Sequence, residues 1–193
     1  MQPRKILFVL FTLITLTLHA QRWVGTWACA PQTVDKSFMP YNNQMTNRSV
    51  RQVVKVSIGG NVIRLRLSNE MSSEPVEITS VYIAEAQESA EIRKETARYL
   101  QFSKKHGVTI AAGKAVFSDA LKFNLAPLSR IAITINYRKA PKEPTVHMGS
   151  RTTSYILRGI STPNTNFSKA FKEDHWFCAL VVLPFPSVML LPR

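Results

Sequence analysis

Four histidines, two cysteines and three tryptophans are the residues here best suited to chemistry or to gripping a ligand. The histidines are His19, His106, His147 and His175. They lie far apart, with none of the short spacings that put two imidazoles on one metal ion. Cys29 and Cys178 cannot build a four-thiolate zinc site. They would pair as a disulfide in an oxidising compartment or stand as two partly buried thiols, and sequence distance leaves both readings open. No Gly-x-Ser-x-Gly elbow presents a serine nucleophile. On this reading no catalytic residue, metal or cofactor is assigned. Trp23, Trp27 and Trp176 have the flat apolar faces that stack on sugar rings, and His147 beside Met148-Gly149-Ser150 has a polar edge. These four are the candidate ligand or interdomain contacts. Burial as a core or interface anchor is the commoner fate of tryptophan.

The elements that must position these residues read as β. Val50, Val54, Val56 and Ile58 share one face of a period-two run, and Arg51, Lys55 and Ser57 share the other. Ile63, Leu65 and Leu67 alternate with Arg64 and Arg66. Gly59-Gly60 between the two runs predicts a hairpin, because glycine reaches the positive φ that tight turns need. Leu121 to Leu125 and Ile131 to Tyr137 alternate in the same way. Val76 to Ala84, Thr152 to Leu157 and Val108 to Ile110 are further β-rich runs. Turn signals at Ala112-Gly113, Ala126-Pro127 and Pro141 to Pro144 punctuate them. Glu88 to Arg98 reads as a loop with a short strand, and 140–150 and 159–175 read as loops. The sum is an all-β, antiparallel sandwich or jelly roll.

Arg4 and Lys5 precede an apolar run from Ile6 to Leu18, closed by Leu18-His19-Ala20. That is the pattern of a secretory signal peptide over 1–20, which implies a secreted or periplasmic chain with no membrane span after cleavage. Losing Arg4 and Lys5 lowers the formal charge from +13 to +11. Such a balance suits anionic partners, but the cations are spread from Arg22 to Arg193. No run interleaves them with aromatics as an RNA-reading strand would, so no nucleic-acid partner is expected. The β domain spans 21–176. From 177 to 193 the composition turns apolar. Either a shifted or prematurely stopped reading frame supplies this stretch, or Phe177 to Leu183 is a strand that closes the sandwich and ends at Pro184 and Pro186.

Trp23-Val24-Gly25-Thr26-Trp27-Ala28 and Ala30-Pro31-Gln32 begin an ordered series of motifs. It continues through Val50-Arg51-Gln52-Val53-Val54, Ser57-Ile58-Gly59-Gly60, Ile63 to Asn69 and Glu74-Pro75-Val76. Val108 to Gly113, Val116 to Asp119, Leu128 to Ile135 and Thr152-Thr153-Ser154-Tyr155 complete it. The series resembles the N-terminal β-sandwich region of secreted SGNH (GDSL-type) hydrolases from about Trp23 to Trp176. In that family, a serine in a Gly-Asp-Ser or Gly-Asn-Ser block attacks an ester, with oxyanion donors and an Asp-x-x-His pair supplied by a following α/β domain. Those blocks do not occur here. Gly60-Asn61 is followed by Val62, and Asp174-His175 has the wrong spacing. The resemblance therefore implies a non-catalytic accessory domain whose partner is an SGNH catalytic domain. The alternative is a free-standing secreted carbohydrate-binding module whose partners are glycans. An independent esterase would need a nucleophile that no motif shows. Ser68 and Asn69 end a strand and read as structural.

Overall fold

The computed structural model describes residues 23–178 and 180–185. The expected signal segment 1–20 and the end of the tail lie outside the described residues. The alternating runs form antiparallel strands. In chain order they are β1 (Trp27–Ala28), β2 (Arg48–Lys55), β3 (Gly60–Asn69), β4 (Val76–Glu85), β5 (Arg98–Tyr99), β6 (Val108–Ile110) and β7 (Lys114–Phe117). Then come β8 (Leu121–Leu125), β9 (Arg130–Lys139), β10 (Val146–Met148), β11 (Ser154–Arg158), β12 (Phe171–Glu173), β13 (Trp176–Cys178) and β14 (Leu180–Phe185). One sheet runs β1-β14-β3-β7, with β8 also on β3. The other runs β12-β11-β2-β9-β4-β5, with β6 on β4. β10 and β13 form a separate ribbon. The chain is an all-β antiparallel sandwich.

Its core lies between the inner faces of the two sheets. Ile63, Leu65 and Leu67 of β3 join Val50 and Val54 of β2, Val81 and Ile83 of β4, and Ile131, Ile133 and Ile135 of β9. Each such side chain contributes about 1.5–3 kcal/mol over its exposed state, and a slip of one residue would turn every one of them outward. In β4 the register shifts between Ile78 and Ser80. This bulge lets Val76 and Ile78 reach the same core as Val81 and Ile83 despite their opposite parity.

The predicted hairpin across Gly59-Gly60 does not form. β2 pairs with β9 and β11, whereas β3 pairs with β14, β7 and β8. Residues 56–59 instead cross from one sheet to the other, carrying fully buried Val56 through the core. Neither Gly59 nor Gly60 has a positive φ. Gly59 is needed for space: a Cβ there would collide with the Leu125 carbonyl oxygen and lie 2.8 Å from Pro127 Cδ. The corner is tied by Val56 N–H donating to Ser129 O at 3.0 Å and Ile58 N–H donating to Thr26 Oγ1 at 2.8 Å. Period-two patterning locates two strands but does not say whether consecutive strands pair or face each other across a core.

Other differences are smaller. Val146–Met148 and Phe171–Glu173 are strands within stretches that read as loop, and Lys114–Phe117 is a strand in a stretch to which the sequence pattern assigns no element. Between 88 and 98 the chain makes a 3-10 turn over Lys94–Thr96 and then enters β5, close to the expected loop with a short strand. In the apolar stretch after Trp176, β14 lies between β1 and β3 and continues through Pro184 to Phe185. A proline removes only one ladder donor, and the strand passes through it.

Cys29 and Cys178 stand as thiols. They are nonetheless neighbours: Cys29 Sγ lies 3.8 Å from Cys178 O, and Cys178 Sγ lies 3.2 Å from the Tyr137 hydroxyl. Burial pushes the Cys178 thiol up to about 12, which keeps it protonated and unreactive at neutral pH.

Gly59→Ala is expected to destabilise the fold by about 1–3 kcal/mol, the usual range for overpacking. A urea melt reads this directly. Gly25→Ala, where a Cβ meets nothing within 4 Å, should leave the midpoint unchanged.

Candidate functional site

The four predicted contact residues divide. Trp176 is only 1% exposed and belongs to the core. Its indole N–H donates to Phe38 O at 3.1 Å, so it anchors a loop rather than offering a platform. Trp27 is half-buried and packs against the core. His147 Nδ1–H donates to Ala30 O at 3.1 Å, and the neighbouring Gln32 and Val146 exchange both backbone bonds. His147 thus pins the N-terminal segment to β10. Trp23 is half-buried on the outer face of the β3 sheet, with the Arg64 guanidinium 4.5 Å from its ring centre. On its other contact the same guanidinium lies 4.5 Å from the Phe117 ring, and Phe117 is 46% exposed. Arg64 Nε is buried without a hydrogen bond.

Ser68, at the outer end of β3, is structural. Its hydroxyl donates to Glu70 Oε2 at 2.7 Å, and Arg66 pairs with Glu70 Oε1 at 2.7 Å. These bonds, Arg66 first and Ser68 second, hold the Glu70 carboxyl below its ordinary value. Buried Asn69 donates to the carbonyls of Glu74, Ile110 and Ala111 and closes the turn region beside them.

The structure assembles a surface that sequence reasoning missed. Phe38 and Tyr41 sit on the loop between β1 and β2, and Phe171 and His175 sit on and beside β12. Phe38 stacks on His175 with ring centres 4.7 Å apart, and Tyr41 leans on Phe171 at 5.5 Å. Phe38, Tyr41 and Phe171 are about 40% exposed or more (40%, 39% and 45%). The result is a ridge of rings along one seam. Buried Glu173 orients the exposed His175, accepting from its Nδ1 at 2.9 Å and from its backbone N–H at 2.7 Å. Tyr41 and Asn42 both adopt left-handed backbone (φ 54 and 52). For a tyrosine this costs about 1 kcal/mol or more, and such strain gathers at functional sites. The Arg48 guanidinium compensates by lying 3.6 Å over the Tyr41 ring, with its Nε donating to Gln44 O at 2.8 Å.

Arg48 also borders an open cleft of about 650 Å³ at one end of the larger sheet. Lys139, Lys142 and Arg158 line it, with Glu74 opposite. The only hint of the ridge in the sequence is an aromatic pair in a Pro/Asn-rich loop. Nothing local joins that pair to 171–175, more than 120 residues away.

Among the described residues no group of three or more His, Cys, Asp or Glu side chains is placed to hold a metal ion, and no helix is long and apolar enough to cross a membrane. No family model matches the chain, and no curated protein matches it.

Trp176→Phe keeps the ring in the core but leaves the Phe38 carbonyl without its donor. The expected cost is about 1 kcal/mol. Limited proteolysis should then cut within 36–43 faster than in the parent. Unchanged cleavage would show that the indole does not hold the ridge loop.

Proposed function

We propose that this chain is a non-catalytic accessory domain of a secreted SGNH/GDSL-type esterase, working beside an α/β domain that carries the serine chemistry. The ordered motifs that resemble that family fall on strands and turns of one sandwich: β1, β2, β3, the entry to β4, β6 with its Gly113 turn, β7, β9 and β11. The observation that carries the reading is the outer face of the β3 sheet. There a partly desolvated guanidinium is stacked by two aromatic rings, one of them half exposed. Arginine and aromatics enriched at one patch are the composition of a docking surface rather than of a solvated sheet. The domain would pack this face on its catalytic neighbour and steady the neighbour's cleft. The ester chemistry would belong to the neighbour.

The test uses the purified chain and the separately produced α/β domain of a secreted GDSL-type esterase that bears such a sandwich. The chain alone should give background hydrolysis of p-nitrophenyl acetate. Mixed with the α/β domain it should form a complex in sedimentation, and Phe117→Ala should weaken that complex about tenfold, as loss of an aromatic anchor does. Ester turnover by the chain alone, or no complex, would sink the reading.

The aromatic ridge favours a second reading, a glycan-binding module. Rings exposed side by side and fixed by Glu173 and Arg48 suit stacking on sugar faces. On this reading the chain is retained on an immobilised polysaccharide, and Tyr41→Ala with Phe171→Ala abolishes retention while the melting temperature stays within a few degrees of the parent. Retention that survives the double substitution would remove the ridge from consideration.

A further inference from the structure

The cleft at the end of the larger sheet is built by strand register. Arg158 of β11 pairs directly with Arg48 of β2, and Arg48 pairs on its other side with Tyr137 of β9. Lys139, two residues beyond Tyr137 on β9, falls on the same face. That face is the one that carries Val50, Ile135 and Ile156 into the core, so the cations stand where the core face opens to solvent. Lys142 joins from the following crossover. The single opposing carboxylate is Glu74, which already accepts the Lys142 backbone N–H at 2.9 Å. Among the described residues none of these four cations forms an ion pair. Like charges at directly opposed strand positions repel and destabilise the pairing. Placing two arginines there, with a lysine on the neighbouring strand, costs stability unless an anion enters the cleft.

From this we infer that the cleft binds the sulfate or carboxylate substituents of an acidic polysaccharide. The inference rests on the glycan-binding reading of the ridge. Arg48 joins the two parts: its guanidinium covers Tyr41 on the ridge side and lines the cleft on the other. A sugar chain stacked along Tyr41 and Phe171 would bring a charged substituent against Arg48, Arg158 and Lys139. The planar guanidinium fork matches the geometry of an oxyanion. Gln44, Thr46 and Asn47 complete the wall with neutral groups able to bond hydroxyls. A nucleic acid would call for cations tracking the length of a groove. Here they gather at one end of one sheet.

The experiment measures binding of the full chain to heparin, dextran sulfate and polygalacturonate, which carry both groups, sulfate alone and carboxylate alone. Neutral dextran and xylan and a single-stranded oligothymidylate run alongside. The key variant carries Arg158→Gln and Lys139→Gln, two exposed side chains. A control carries Lys105→Gln and Lys114→Gln, which remove the same charge away from the cleft. At least one acidic glycan should bind more tightly than the neutral ones. The cleft variant should lose about tenfold of that affinity or more, and the control should change little. The arm that responds identifies sulfate or carboxylate. Equal losses in variant and control would reduce the effect to general basicity and overturn the inference. Neutral glycans bound as well as acidic ones would overturn it while leaving the glycan reading intact, and no glycan binding at all would remove both. Tighter, cleft-dependent binding of the oligonucleotide would reassign the cleft.

Discussion

The second face of the larger sheet depends on a buried cation. Arg51 is 1% exposed, although it sits at an alternating position where a charged residue would ordinarily reach water. Burial pushes its pKa down, partly offset by Tyr82 and Glu91. The guanidinium is held by three donated hydrogen bonds, to Thr134 Oγ1 at 3.0 Å, Ala90 O at 2.7 Å and Tyr82 Oη at 2.9 Å. The Phe167 ring stacks on it at 3.8 Å. Removing a buried charge from water costs several kcal/mol unless its donors are satisfied. Here each of the three guanidinium nitrogens has an acceptor, and the groups that cover it come from β4, β9 and two loops. The arginine thereby makes those loops part of the fold.

A polar network beside it does the same for the segment after β11. Asn136 accepts from Ser49 and Ser161 and donates to Ser80 Oγ and Ser161 O. Ser161 Oγ in turn lies 3.1 Å from the Tyr82 hydroxyl. Every member of this network has a partner, which is the condition under which buried polar groups specify a structure rather than weaken it. With 159–170 fixed over the sheet, the chain returns as β12 against β11 at a defined height. That return sets Phe171 and His175 against Phe38 and Tyr41. Trp176, two residues past Asp174, then locks the opposing loop from within the core. The ridge is thus a consequence of how the outer face of the sheet is covered.

The two faces of the sandwich invite different partners. The β3 sheet carries the stacked Arg64 and suits a protein surface. The far end of the other sheet carries rings and uncompensated cations and suits a ligand with flat apolar faces and negative substituents. On the proposed reading, the two roles would belong together in an accessory domain that holds a substrate near a catalytic neighbour.

The sequence by itself determined the class and most strand positions. Alternation at 50–56, 63–67, 121–125 and 131–137 is a local property, because inward and outward side chains differ by one residue. It also determined the Gly113 turn, where a positive φ (69) is required. Strand pairing was decided by tertiary structure. The segment 56–59 crosses the core because Gly59 must pass within contact of Leu125 and Pro127, and no local pattern encodes that approach. Arg51 and Arg64 look alike in the alternation, yet one is buried under loops and the other is stacked between Trp23 and Phe117 on the outer face of the other sheet. The difference lies in what covers each sheet. The candidate site was the least legible part, since its rings and cations come from two stretches, 38–48 and 139–175, that lie about ninety residues or more apart. Only the pairing of β2 with β9 and β11, and of β11 with β12, brings them to one edge.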